Sequence, residues 1–243
     1  SQEEFENELK LLMELKHPNI VQLAGYCYET RKLHMFHEGE YIFAEDTQTL
    51  LCLECLPNGS LENYISDASS RLHWRTRYKI IEGICCGLQY LHEQSKDPIL
   101  HLDLKPANIL LDKNMLPKIT DFGLSRLFDQ SQTIHTARTC GTLGYMAREF
   151  LQGIITPMSD IFSLGVIILE ELQKWRNLLQ NEPGYRSIEK DCQQIKRCIQ
   201  IGLICVNHDR TKRPTMKKII DMLQGLESMN WYISNEVTLV ANV

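Results

Sequence analysis

The sequence predicts an α+β fold, with a small strand-bearing N-terminal portion followed by a mainly helical C-terminal portion. Apolar residues recur at helical spacing, or crowd all round a helix, within 1–16, 74–94, 160–172, 193–206 and 214–227. Short apolar runs bounded by turn residues at 20–23, 50–56, 99–100, 109–111 and 117–120 read as small strands. The 243 residues suffice for one large domain, or for a domain and a part. A chain of that size buries roughly 70–75% of its unfolded surface, so it needs no disulfide or metal staple.

The elements follow in order. Phe5, Leu9, Leu12 and Met13 fall at i, i+4, i+7 and i+8, the apolar face of an amphipathic helix that His17-Pro18-Asn19 ends. Ile20-Val21-Gln22-Leu23 reads as a strand. Residues 31–50 are polar and irregular, and join it to a second strand, Leu50 to Leu56, which closes on the turn sequence Pro57-Asn58-Gly59-Ser60. Ser60 is placed to cap a short helix from Leu61 to Ile65. Ile80, Ile81, Ile84, Leu88 and Leu91 mark a long helix from Trp74 to Gln94. Asp160 to Leu172 is apolar almost all round, which places that helix in the middle of a domain. Residues 193–206 and 214–227 give two more helices, the second started by Pro214. The boundaries expected are an N-terminal portion at 1–56, a helical portion at 57–228 and a tail at 229–243 with no assignment.

Composition excludes several classes. A net charge of −5 gives no basic excess, so nucleic acid is not expected as a partner. No run of 18 apolar residues occurs and Ser1-Gln2-Glu3-Glu4 is not a signal peptide, so the chain as given is expected to be soluble. Nine cysteines at scattered, mostly apolar positions suggest free thiols in a reducing compartment. Cys52 and Cys55 are formally C-x-x-C, but in a strand-like run residues three apart face opposite sides. His34-Met35-Phe36-His37-Glu38 lacks the H-E-x-x-H spacing and reads as a solvated loop rather than a metal site.

The chemistry concentrates in His101-Leu102-Asp103-Leu104-Lys105-Pro106-Ala107-Asn108, followed after a further strand pair by Asp121-Phe122-Gly123. A carboxylate (Asp103) can orient and deprotonate a hydroxyl, and a cation (Lys105) can neutralise a transferred phosphate. An amide and a second carboxylate (Asn108, Asp121) can hold a divalent cation. Apolar runs on both sides would place the two motifs on rigid hairpins facing one cleft.

In these motifs the chain resembles the eukaryotic protein kinases of the Ser/Thr type, over roughly residues 1–228. The resemblance implies a kinase-like α+β fold, with a mainly helical C-terminal lobe and an incomplete β-rich N-terminal lobe. It implies ATP and Mg2+ as cofactors and a protein substrate. Asp103 and Lys105 would be catalytic, and Asn108 and Asp121 would carry the metal. Leu53 would be the gatekeeper, the backbone of Glu54 and Leu56 would bond the purine, and Leu110 would form the floor beneath the ring. Glu8 would be the acid of the kinase C-helix. Asp160 would tie down the catalytic loop, Glu149 and Arg213 would form a buried ion pair, and Gly141–Glu149 would be the substrate-docking end of the activation segment. Asn19-Ile20-Val21, Leu56-Pro57-Asn58-Gly59-Ser60-Leu61 and Gly87-Leu88-Gln89-Tyr90-Leu91-His92 resemble the plant receptor-like kinases. That implies an upstream receptor or transmembrane segment not in this chain, and a cytoplasmic site at the inner face of the plasma membrane.

Some features depart from the family pattern. The 243 residues contain no G-x-G-x-x-G, and no lysine precedes Glu8. The roof over the phosphates and their clamp are therefore not encoded here, and the chain alone is expected to be inactive or nearly so. The alternative reading is accordingly an impaired or pseudokinase chain acting as a protein-binding module. Leu102 stands where most regulated kinases have Arg, which marks a non-RD type. Phosphorylation of Ser131, Thr133, Thr136 and Thr139 is thus not expected to be the on-switch. Arg148 replaces the Pro of Ala-Pro-Glu. The stretch from about Gln173 to Asp191 is short, and Trp175 within it is expected to be a packing residue.

Overall fold

The computed structural model describes residues 2–66, 72–95, 97–128, 134–135, 141–181 and 189–226. The tail at 229–243 and the hydroxyls of Ser131, Thr133, Thr136 and Thr139 lie outside the described residues. Helix α1 (Gln2–Glu14) is the first predicted helix. It buries Leu11 and Leu12, with Leu15 just beyond its end, and leaves Met13 exposed. The apolar face is thus turned by one residue from the one expected.

The N-terminal strands differ from their prediction. Strands β1 (Leu23–His37) and β2 (Glu40–Leu53) form one long antiparallel hairpin, so residues 31–50 are regular. Its two-residue turn is Glu38-Gly39, at φ 50° and 92°, the left-handed pair that suits a right-twisted hairpin. The outer half is exposed on both faces, including Leu33, Met35, Phe36, Tyr41, Ile42 and Phe43. With no buried face there is no apolar alternation to reveal a strand, which is why composition suggested a loop. His34 and His37 accordingly sit on β1, with His34 packed on Phe43 at a ring distance of 3.9 Å. Ile20 forms only an isolated parallel bridge with Ile119, and the second strand stops at Leu53.

The remaining elements are α2 (Leu61–Ser66), α3 (Trp74–Gln89), β3 (Ile99–Leu100), β4 (Ile109–Leu111), β5 (Pro117–Ile119), β6 (Arg126–Leu127), β7 (Ile134–His135), α4 (Arg148–Leu151), β8 (Ile154–Ile155), α5 (Pro157–Asn181), α6 (Glu189–Cys205) and α7 (Met216–Gln224). A π-helical turn, Tyr90–Gln94, extends α3 to the predicted end. Thr215, not Pro214, is the N-cap of α7, and Gly225 ends it at φ 75°. Besides β1–β2, the described strands pair antiparallel as β3–β6, β4–β5 and β7–β8.

The core forms where α3 meets α5. Ile80, Ile81, Ile84 and Leu88 share one buried cluster with Ile161, Leu164, Ile167 and Ile168. Trp175 is buried with its ring 6.2 Å from that of Trp74, as a packing residue should be. A fully buried Arg77–Glu171 ion pair joins the two helices. Burial pushes the Glu171 carboxyl up, and the Arg77 cation opposes it. Helix α3 also lies tight on the β4–β5 hairpin through Gly83. A Cβ there would stand 2.5 Å from Pro117 Cγ and 2.8 Å from Asn19 Nδ2.

That approach sets a sign. Alanine improves helix propensity over glycine by about 1 kcal/mol, but here the added carbon overpacks the interface, at about 1–3 kcal/mol. Gly83→Ala is therefore expected to lower the urea midpoint of unfolding, and a raised midpoint would contradict the packing described.

Candidate active site

The loop from His101 to Asn108 connects β3 to β4, and its shape is imposed from the core. Asp160, in the first turn of α5, is fully buried. Its Oδ2 accepts the His101 N–H at 2.8 Å and lies 2.9 Å from His92 Nε2; its Oδ1 accepts the Leu102 N–H at 2.8 Å. Burial pushes the Asp160 carboxyl up. The His92 hydrogen bond, the charges of His92 and His101 and the Leu102 N–H outweigh that, and the group ends below its usual value. A carboxylate one turn into a helix also meets the positive end of the helix dipole.

Leu102 shows what this grip sustains. Its φ is 67°, a left-handed conformation that costs a branched residue about 1–3 kcal/mol. The Asp160 bond holds its N–H, and its side chain is buried with Leu100, Ala147, Phe150 and Ile155. His101 is buried as well. Its Nε2 lies 3.0 Å from the Thr120 carbonyl oxygen, and its ring meets Phe122 edge-on at 5.3 Å. The 101–108 loop and the Asp121-Phe122-Gly123 turn are thus tied together through one imidazole.

The polar side chains of the loop converge on Asp103. Lys105 Nζ donates to Asp103 Oδ2 at 2.8 Å, and the Thr142 hydroxyl donates to Oδ1 at 2.7 Å. Lys105 Nζ also donates to Thr142 Oγ1 at 2.8 Å. Asn108 Nδ2 donates to the Asp103 carbonyl at 2.9 Å and to Oδ2 at 3.2 Å. A short 3₁₀ turn, Pro106–Asn108, sets the reach of Asn108 back to Asp103. Lys105, Thr142 and Asn108 each donate to the carboxylate, which aims Asp103.

The metal side follows. Because the Asn108 nitrogen is committed to Asp103, its amide oxygen is the atom that can face a cation. The Thr120 N–H donates to the Asn108 carbonyl at 3.0 Å, joining the loop to the residue before Asp121. Asp121 is exposed, at φ 68°. An amide oxygen and one carboxylate are hard donors that suit a magnesium ion sharing its remaining positions with water and phosphate. Among the described residues, no group of three or more His, Cys, Asp or Glu could hold a metal by itself. Glu8, on α1, is half-buried, and its Oε1 accepts the Phe122 N–H at 3.1 Å. Burial pushes its carboxyl up, the Phe122 bond lowers it, and the Asp121 charge raises it further.

The predicted nucleotide end lies where β2 leaves the hairpin. Leu53 and Leu56 pack against the main core. The Glu54 N–H donates to the Gln22 carbonyl at 3.0 Å, so the Glu54 carbonyl is the backbone group left to serve a ligand. Its carboxylate accepts from the Gln22 N–H at 2.8 Å and from Lys118 Nζ at 2.7 Å. The Leu56 carbonyl accepts the Gly59 N–H at 3.2 Å. Leu110 is half-buried on β4 and bridges Ser60.

The segment from Gly141 to Glu149 is anchored to α5 and to the turn before α7. Arg213 donates to Glu149 through Nη1 at 2.5 Å and Nη2 at 3.0 Å, the predicted buried pair. The Tyr145 hydroxyl donates to the Glu170 carboxylate at 2.8 Å, and Ser163 Oγ donates to the Tyr145 carbonyl at 2.7 Å. Arg148 is exposed at the first position of α4, where a missing N–H would be harmless, so Arg replaces Pro there without losing a bond. Sequence reasoning did not assign roles to Thr142, Asn7 or His92. Thr142 lay inside the segment it did single out, whereas Asn7 and His92 are ordinary helix residues until the fold brings their partners.

The protein kinase domain family matches residues 1–232. Cysteine-rich receptor-like protein kinase 36 of Arabidopsis thaliana is 39% identical over 245 residues, which cover 90% of this chain and 34% of that protein. The G-type lectin S-receptor-like serine/threonine-protein kinase SD1-13 of the same plant is 37% identical over 254 residues, covering 93% of this chain and 29% of that protein. The chain spans about a third of the length of these curated relatives. No helix among the described residues is long and apolar enough to cross a membrane.

Asp160 gives a pH-dependent expectation. A carboxyl whose folded pKa is lowered contributes stability that is fully present above its unfolded value, and that is lost as pH falls through the folded value. Asp160→Asn leaves an amide facing two backbone N–H groups and is expected to cost about 3 kcal/mol at pH 7. Urea titrations below pH ~4 should show the difference from wild type shrinking. A difference that stays constant down to pH 2 would contradict the assignment.

Proposed function

The chain belongs to the protein kinase family, and from that membership we propose that it is the catalytic domain of a Ser/Thr kinase, transferring the γ-phosphate of ATP to hydroxyls of a protein substrate. The observation that carries this reading is the Asp103–Lys105–Thr142–Asn108 cluster. Asp103 orients the acceptor hydroxyl and takes its proton as the new P–O bond forms and the bond to the ADP oxygen breaks. Lys105 neutralises the oxygens of the moving phosphoryl group. The Thr142 hydroxyl, 2.7 Å from Asp103 Oδ1, occupies the kind of position an incoming Ser or Thr hydroxyl would take. A protein kinase domain uses ATP and a divalent metal. Here magnesium is the ion proposed, held by Asn108 and Asp121 and supplying charge stabilisation to the phosphates. The carbonyl of Glu54 and the backbone of Leu56 are proposed to meet the purine, with Leu110 beneath it.

The receptor-like relatives support a further step. The kinase domain is proposed to work in the cytoplasm at the inner face of the plasma membrane, joined to a receptor part, in a plant signalling protein. Leu102 supports non-RD control, because its buried side chain contributes packing at the place where an Arg would contact a phosphate. A non-catalytic binding module is the second reading. It is favoured by Glu8, whose carboxylate engages the Phe122 N–H. A thermal shift with magnesium and ATP separates the two, since a scaffold need not respond.

The test of transfer uses the chain extended at its N-terminus by a glycine-rich strand and a Val-Ala-x-Lys strand. With magnesium ATP and mixed peptides, phosphate is expected on Ser and Thr. Asp103→Asn should lower kcat by about 10²–10⁴ while leaving nucleotide affinity nearly unchanged. Transfer that survives Asp103→Asn would sink the assignment.

A further inference from the structure

Helix α1 carries a second polar grip on the metal-binding turn, independent of Glu8. Asn7 Nδ2 lies 3.1 Å from the Phe122 carbonyl oxygen, 3.3 Å from that of Gly123 and 3.0 Å from that of Ser125. An amide nitrogen has two hydrogens, so three carbonyls share two donors. The next residue, Glu8, accepts the Phe122 N–H at 3.1 Å. Consecutive side chains of α1 therefore present a donor and an acceptor to the backbone just after Asp121. The two elements are in van der Waals reach: a Cβ on Gly123 would stand 3.5 Å from Glu4 Cβ. The segment is pinned from its other side too, because the Phe122 ring is fully buried against His101. The Ser125 hydroxyl donates to the His101 carbonyl at 3.2 Å, returning the far end of the segment to the catalytic loop.

We propose that Asn7 is a positioning residue for the metal site: its amide fixes the 122–125 backbone, and so transmits the seating of α1 to the carboxylate of Asp121. The inference rests on the metal role given to Asp121 above. The chemistry is specific to a donor. An aspartate at position 7 would set carboxylate oxygens against three carbonyl oxygens, and an alanine would leave those carbonyls without this partner. Either change frees Asp121 to sample other orientations without touching Asn108 or the purine end.

The experiment is calorimetric titration of the 243-residue chain with ADP, with and without magnesium, alongside hydrogen exchange of the 122–125 amides. Asn7→Ala is expected to weaken magnesium-dependent ADP binding about tenfold, the order that follows from losing one or two neutral hydrogen bonds. Metal-free ADP binding should stay within about twofold, and exchange across 122–125 should speed up. Asn7→Asp should lose more. If Asn7→Ala fails to fold, Asn7→Ser keeps a donor on a shorter arm and should fall between it and wild type. Asp121→Ala separates this inference from its premise. If it leaves magnesium dependence intact, or if wild type shows none, the metal assignment falls and the inference with it. If Asp121→Ala abolishes magnesium dependence but Asn7→Ala leaves it unchanged, or weakens metal-free binding equally, Asn7 has no positioning role and the metal assignment stands.

Discussion

The carboxylate of Asp160 sits in the first turn of α5 and accepts two consecutive backbone N–H groups from the 101–108 loop while holding His92. Through it, the packing of α5 against α3 decides where Asp103 points. A loop with a leucine at φ 67° does not hold that shape by local preference, so an outside contact must over-determine it. Asp160 supplies the polar half of that constraint. The apolar half is the small cluster of Leu100, Leu102, Ala147, Phe150 and Ile155. Once residues 101 and 102 are fixed, Asp103 projects toward Lys105, Thr142 and Asn108, and the site follows as a consequence.

Charges elsewhere are used in the same way, as buried pairs that join elements. Arg77–Glu171 joins α3 to α5, and Arg213–Glu149 joins the turn before α7 to the 141–149 segment. Such pairs add little net stability over apolar packing, but losing one partner leaves a buried charge and costs about 3–5 kcal/mol. They therefore fix how elements meet more than how tightly they bind. The loose end of this design is the outer half of the β1–β2 hairpin, which carries exposed Phe36, Tyr41 and Phe43 and, among the described residues, has no such tie to the helical core.

Legibility in the sequence tracked burial. The helix from Trp74, the all-round apolar helix after Asp160 and the small strands flanking the loop were readable, because deep burial imposes strong patterns, whereas the Glu149–Arg213 pair came only from the family resemblance. The hairpin at 31–50 was not, since exposure on both faces erases alternation and its Glu38-Gly39 turn is a weak signal. At the candidate site, residue type and spacing singled out Asp103, Lys105, Asn108 and Asp121, whose roles are the proposal made above, and the fold brings the first three into one hydrogen-bonded cluster. Asn7 and Thr142 were not, because their roles arise from contacts across 115 and 39 positions of chain, which no local pattern encodes. Glu8 was placed correctly on its helix, but its partner is a backbone N–H.

The central claim is that the Asp160 carboxylate converts the packing of α5 into the geometry of Asp103, and a crystal structure of Asp160→Ala tests it most directly. The account predicts that Leu102 leaves the left-handed region and that the Asp103 carboxylate parts from Lys105 and Thr142 while α3 and α5 stay in place. A loop that keeps Leu102 near φ 67° and Asp103 within hydrogen-bond distance of both partners would contradict it.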